Sequence, residues 1–224
     1  MLRRWLVVVG SVFVVCVSLA AQMVSAESFM DLYLGAAFTQ DHDATLSAFP
    51  GSLTVDVSFD TAFTFGGRFG YYFERLPWLG LGFDASYFAP DAKATFNNIF
   101  SFDNIDVTVV PLSFLVFFRV PGILPTSDIP HGRLQPYLAI GPSLFISNLE
   151  VNLQPGSASD TSLDIGLDAR LGLGWRFDRN VGIFVEYRFS YASPEFEDTI
   201  QGVKVTADTD LTTHSALVGV SFHF

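Results

Sequence analysis

The side chains of this sequence best placed to do chemistry are arginines and carboxylates: Arg68, Asp84, Arg119, Asp168, Arg170, Arg176, Glu186 and Arg188. Each stands at an alternate position of a stretch in which apolar residues alternate with small or polar ones. Most of them therefore share a strand face with Gly or Ser, Arg119 at the end of a nearly apolar segment being the exception. Opposite charges on one enclosed face must pair, because an unpaired buried charge costs several kcal/mol or changes its protonation. Such a set can serve as a static plug. It can also serve as a gate whose ion pairs exchange partners to admit small ions. The plug is the simpler reading, since it needs one arrangement and not two.

Other reactive types lead to less. His214 and Ser215 suggest a nucleophile and a base, but neighbours on a strand point to opposite faces. His223 fits a satisfied inward polar group. Asp41-His42-Asp43 offers ligands for a divalent cation. Asp56, Asp60, Asp91, Asp103, Glu150, Asp160, Glu195, Glu197, Asp198, Asp208 and Asp210 add acid in comparable places. No EF-hand spacing occurs among them, and a solvated negative rim accounts for them. There is no Gly-rich phosphate loop before a helix, no Cys/His metal set and no helix-borne His pair. The sequence thus predicts no enzyme, no catalytic residue, no cofactor and no bound metal.

The first 26 residues read as a cleaved signal peptide: Arg3 and Arg4, an uncharged apolar core over residues 5–21, and Val24-Ser25-Ala26 before the cut. Cys16 is the only cysteine and lies in this leader, so the rest of the chain has no thiol. The chain carries 12 Lys and Arg against 23 Asp and Glu. Without Arg3 and Arg4 the balance is ten against 23, a net charge of −13. That acidity argues against nucleic acid as a partner. After the leader, no apolar run approaches the ~18–20 residues of a membrane helix. Yet half the chain is hydrophobic, with 24 Phe. Many short strands are implied.

Eight alternating segments can be read, near residues 29–38, 61–73, 79–87, 110–118, 134–146, 163–177, 181–191 and 211–224. The fourth is apolar on both sides, which leaves its facing weakly marked. The fifth carries Pro136 and Pro142, and a bulge is expected there. The links 39–60, 89–104, 147–161 (with Pro155-Gly156) and 192–210 read as long polar loops. The links 74–77 and 178–180 are tight turns, and link 120–132, with three prolines, is irregular. Long loops at one rim and short turns at the other mark a transmembrane barrel. The polar face is rich in Gly and sparse in charge, unlike a solvated face, and Gly there is expected to make room for Arg and Glu. The apolar face carries Phe38, Phe73, Tyr87, Tyr191 and Phe224 near strand ends, as at a membrane interface. The fold class is therefore all-β: an eight-stranded antiparallel transmembrane β-barrel over residues 27–224, preceded by the leader over 1–26.

The last strand alternates to the final residue, with Val218, Val220, Phe222 and Phe224 on one face. It resembles the C-terminal assembly signature of bacterial outer-membrane barrels. Glu186-Tyr187-Arg188, with Arg170 and Arg176 on the preceding strand, is similar to the interior ion-pair cluster of the outer membrane protein A-like β-barrel family. The resemblance covers nearly all of the chain after the leader, without that family's usual peptidoglycan-binding domain. It implies a Gram-negative outer-membrane location with both termini periplasmic, and an inward structural role for Glu186 and Arg188. The implied partners are outer-membrane lipid and lipopolysaccharide, the barrel-assembly machinery and periplasmic chaperones, with the protein a monomer. The expected role is structural: a plugged barrel presenting four acidic loops, whose acids meet lipopolysaccharide phosphates or a host surface only through bridging cations. The alternatives are a small passive pore or hydrophobic-solute transfer, through the lumen or a lateral opening, and an outer-membrane lipid-modifying enzyme.

Overall fold

Alternation of large apolar and small or polar residues favours extended chain with two unlike faces. The computed structural model describes residues 27–224 apart from 49–50, 97–99, 154–155, 194, 201–202 and 209–210. The leader over 1–26, Pro155 and Asp210 lie outside the described residues. The described strands are β1 (Glu27–Thr39), β2 (His42–Ala48), β3 (Gly51–Phe59), β4 (Ala62–Phe73), β5 (Leu76–Phe88), β6 (Asp91–Phe96), β7 (Phe100–Arg119), β8 (Leu134–Leu153), β9 (Gly156–Arg176), β10 (Val181–Ala192), β11 (Glu195–Ile200), β12 (Val203–Asp208) and β13 (Leu211–His223).

Eight of them close a barrel in the order β1, β4, β5, β7, β8, β9, β10, β13 and back to β1, every pair antiparallel. Closure satisfies the backbone of the outermost strands, which an apolar medium demands. Leu32, Leu34, Phe63, Phe114, Leu171, Val185 and Val218 project outward and are exposed, an apolar belt facing lipid. Even the apolar fourth segment has a defined inside: Val109, Leu115 and Phe117 are buried, whereas Phe114 and Phe118 are not.

The four links expected to be loops are largely strand. Link 39–60 holds β2 and β3, link 89–104 holds β6 and the start of β7, and link 192–210 holds β11 and β12. Link 147–161 is taken up by the lengthened β8 and β9. The extra strands ladder to one another and to β7, forming a crown above the barrel. At the opposite, short-turn end lie the β4–β5 turn, the β9–β10 turn and the link over 120–133.

No bulge forms at Pro136 or Pro142: β8 keeps one register along β9 through both. Pro136 turns its carbonyl to β7, accepting from Val120 N at 2.9 Å. Pro142, six residues on, turns the same way. The β7–β8 ladder omits Phe114 and Leu115 and resumes in the same register at Val116. A Cβ on Gly141 would stand 1.7 Å from the Phe114 carbonyl oxygen, so only glycine lets the strands close beside the proline. Within the barrel a register irregularity lies instead between Tyr72 and Phe73, opposite the start of β5, and another lies in the crown between Ala92 and Ala94. The first turns Trp78 outward to stack on Phe118, with ring centroids 6.1 Å apart.

Candidate functional site: the barrel lumen

The inward faces of the eight strands enclose three successive layers. The first closes the short-turn end. Glu27, the first residue of β1, takes Arg119 Nη2 on Oε2 and Arg176 Nη1 on Oε1, each at 2.5 Å. His223 Nδ1 of β13 lies 3.1 Å from Glu27 Oε1. Arg119 also donates from Nε to the Pro77 carbonyl and stacks its guanidinium 3.7 Å from the Tyr72 ring centre. Arg176 Nη2 donates to the Arg179 carbonyl. One carboxylate thus ties strands from three parts of the barrel wall.

The second layer fills the middle. Arg68 donates to Asp31 at 2.6 Å and to Glu186 at 2.7 Å, between the rings of Phe117 and Phe184. Tyr137 Oη donates to Glu186 Oε2 at 2.6 Å. Arg170 reaches Asp84 and Asp168, each at 2.8 Å, and Arg188 donates to Ser86 Oγ and Tyr33 Oη. Tyr33 Oη donates in turn to Asp84, and Ser113 Oγ to Asp168 Oδ2 at 2.8 Å beside Ser143. Every strand of the barrel except β13 contributes a side chain to this layer. Together the two layers join five arginines to five carboxylates, namely Glu27, Asp31, Asp84, Asp168 and Glu186. The first layer has an excess of arginine and the second of carboxylate, so the two attract each other.

Between them lies a cavity of about 40 Å³ bordered by Asp31, Arg68, Gln135, Tyr137, Arg176 and Ser221. Asp31 Oδ1 and Arg176 Nε, both buried, have no protein hydrogen-bond partner. A space of that size, with these polar groups and the rings of Phe29, Phe117 and Phe184 on its wall, has room for a water.

The third layer, toward the crown, is apolar. Ala37, Ala62, Phe88, Val107, Val109, Phe145 and Ala192 form one buried cluster, with Phe59 packed on it. The space left there is only about 10 Å³. An ion entering the lumen would have to displace ion pairs and then cross a dry layer.

All eight charged residues singled out from the sequence lie in this lumen, buried. Arg119 and Arg176 belong to the first layer and the other six to the second. His214 and Ser215 are not brought together: Ser215 is buried, while His214 faces outward between Tyr187 Oη and Gln40 Nε2. Asp41 Oδ1 caps the amide of Phe59. Sequence reasoning missed Glu27 and Asp31 as lumen charges. It gave the inward aromatics no role, and their packing overturns the expectation about glycine. A Cβ on Gly172 would meet the Tyr137 ring, one on Gly66 the Tyr33 hydroxyl, and one on Gly70 the Phe29 ring. The glycines make room for rings rather than for Arg and Glu. Paired Gly and aromatic positions on adjacent strands were the available signal.

A closed eight-stranded barrel with an apolar belt and a charged, packed lumen defines an integral β-barrel membrane protein. The family model of the outer membrane protein beta-barrel domain matches residues 11–224, and the chain belongs to that family. It is accordingly an outer-membrane protein of the Gram-negative type. Among solved structures it is similar to the outer membrane protein OprG from Pseudomonas aeruginosa, with a TM-score of 0.61, 14% identity, and 89% of this chain and 97% of that chain covered. It is likewise similar to the outer membrane protein AlkL, solved by solid-state NMR in lipid bilayers, with a TM-score of 0.60, 15% identity, and 88% and 90% covered. At these identities the likeness is one of fold. No curated protein matches the chain.

Proposed function

We propose that this protein is a membrane-anchored, non-enzymatic scaffold that presents an acidic β-crown to the cell exterior on a plugged barrel. In this reading the short-turn end and both termini are periplasmic, and the strand over Val218, Val220, Phe222 and Phe224 is the assembly signal. The observation that carries the reading is the crown's register. Asp43 stands opposite Asp56, Asp91 opposite Asp106, Asp106 opposite Glu150, and Glu195 opposite Asp208. Like charges directly opposed on neighbouring strands destabilise a sheet. A crown built this way gains when a cation or a cationic surface settles on it.

The test uses vesicles holding the full chain, and vesicles holding a variant with the β2–β3 and β11–β12 hairpins replaced by short turns. A fluorescent pentalysine peptide is the probe. Binding to the native crown that weakens with salt and is lost on trimming supports the scaffold. Equal binding to both overturns it.

A second reading, transfer of an apolar solute through the wall, draws on one observation. β9 ladders to β10 only as far as Leu167 opposite Tyr191. Above that point, among the described residues, β9 is paired on its β8 side alone, and Leu163 and Ile165 are exposed there, Ile165 by 81%. Protein-dependent uptake of an apolar dye into vesicles would favour this reading over the scaffold.

A further inference from the structure

Most of the short-turn end is spare: Glu74-Arg75 joins β4 to β5, and residues 177–180 join β9 to β10. The link over 120–133 is long and ordered. Gly122 N donates to the His131 carbonyl at 2.7 Å, Leu134 N to Ile123 at 3.3 Å and Arg133 N to Leu124 at 3.1 Å. Thr126 and Ile129 exchange backbone hydrogen bonds across its tip, and Ile129 is buried. These bonds fix the link as a small rigid foot.

Its apolar residues are held outward at a conformational cost. Leu124 has φ +55°, the only non-glycine with positive φ among the described residues, and is 55% exposed. A bulky side chain in that region is a true outlier, which surrounding contacts must maintain. Val120, also exposed, extends the outward parity of Phe114, Val116 and Phe118, so the foot leaves the barrel from the lipid-facing belt. The stacked Trp78 and Phe118 mark the membrane interface at that place. The backbone hydrogen bond from Arg133 N to the Leu124 carbonyl makes the two residues neighbours in the foot. Arg133 is half-buried, and its Nε, shielded within the foot, has no hydrogen-bond partner. Apolar side chains leaving a lipid-facing belt, with an arginine on the residue bonded to Leu124, match the boundary between acyl chains and phosphate.

We propose that the 120–133 link is a phospholipid-binding foot, with Val120 and Leu124 in the acyl boundary and Arg133 on a lipid phosphate. The orientation proposed above decides only which leaflet it meets. In symmetric vesicles the foot meets phospholipid whichever way the barrel points, so failure here is separate from failure of the scaffold reading.

The experiment places nitroxide labels at Leu124→Cys, Val120→Cys and, for comparison, Phe118→Cys and Ser127→Cys. The background is full-length Cys16→Ser protein in phosphatidylcholine vesicles with and without phosphatidylglycerol. Heat-modifiable gel mobility confirms that each variant is folded. At positions 120 and 124 the label should match position 118: open to oxygen and several-fold less open to a water-soluble nickel chelate than position 127. Phosphatidylglycerol should deepen the burial, and Arg133→Gln should abolish that increment. Leu124→Asn, which tolerates the positive φ, should keep the fold yet raise chelate access at position 120. Position 124 as open to the chelate as position 127 would overturn the foot. Indifference to phosphatidylglycerol and to Arg133→Gln would overturn the phosphate contact.

Discussion

The two halves of the lumen solve the same packing problem with opposite chemistry. Toward the short turns, arginines and carboxylates from six of the eight barrel strands interlock around a small cavity. Toward the crown, Phe88, Val107, Val109 and Phe145 close the space with almost no room left. The charged half depends on partner identity, because each buried ion is tolerable only while its counter-ion stays in place. The apolar half depends on volume, because contacts there are non-directional. A protein sealed in both ways has two independent barriers along one axis.

Substitutions that exchange the two chemistries probe this difference. Arg170→Met should be the most damaging, since it leaves Asp84 and Asp168 facing each other without their shared cation. A loss of ~3–5 kcal/mol is expected in urea unfolding from lipid vesicles. Val109→Thr keeps the shape but introduces a hydroxyl into the dry layer, and should cost about 1–3 kcal/mol in the same assay. Phe145→Leu, an apolar exchange at a site 4% exposed, should cost under ~1.5 kcal/mol. Ser113→Ala removes one of three donors to Asp168 Oδ2 and Oδ1 while Arg170 remains, and should cost about 1 kcal/mol. If Phe145→Leu proved as costly as Arg170→Met, the two halves would not differ in kind. Salt should change none of these values much, since buried pairs are poorly screened.

What the sequence made legible follows from contrast between faces. Where Phe, Leu and Val alternate with Gly, Arg and Asp, period two marks both the strand and its inside, as in 163–177 and 211–224. The crown strands carry the same period-two contrast, with Leu53, Val55, Val57 and Phe59 alternating with Ser52, Thr54, Asp56 and Ser58, yet they escaped because they are short and rich in acid. Their acids make links 39–60, 89–104 and 192–210 read as polar loops, although the alternation is there to be found. The roles of Tyr33 and Tyr137 escaped because one strand's alternation gives a side chain's face but not its partners. Their hydroxyls in fact serve the ion pairs, and the space for their rings comes from glycines on neighbouring strands, a relation between strands that one strand's periodicity does not carry. Pro142 misled because a lost hydrogen bond was equated with a shifted register; Gly141 beside it lets the ladder resume unshifted.

The double seal is tested most directly by single-channel recording in planar bilayers on the native protein and on Glu186→Ala, each shown to be folded by heat-modifiable mobility. With two independent barriers, neither protein should give conductance steps: removing Glu186 loosens Arg68 and Tyr137 but leaves the apolar layer closed. Steps in the native protein would contradict a closed lumen. Steps in Glu186→Ala alone would show that the charged half is a gate and that the apolar layer is no barrier.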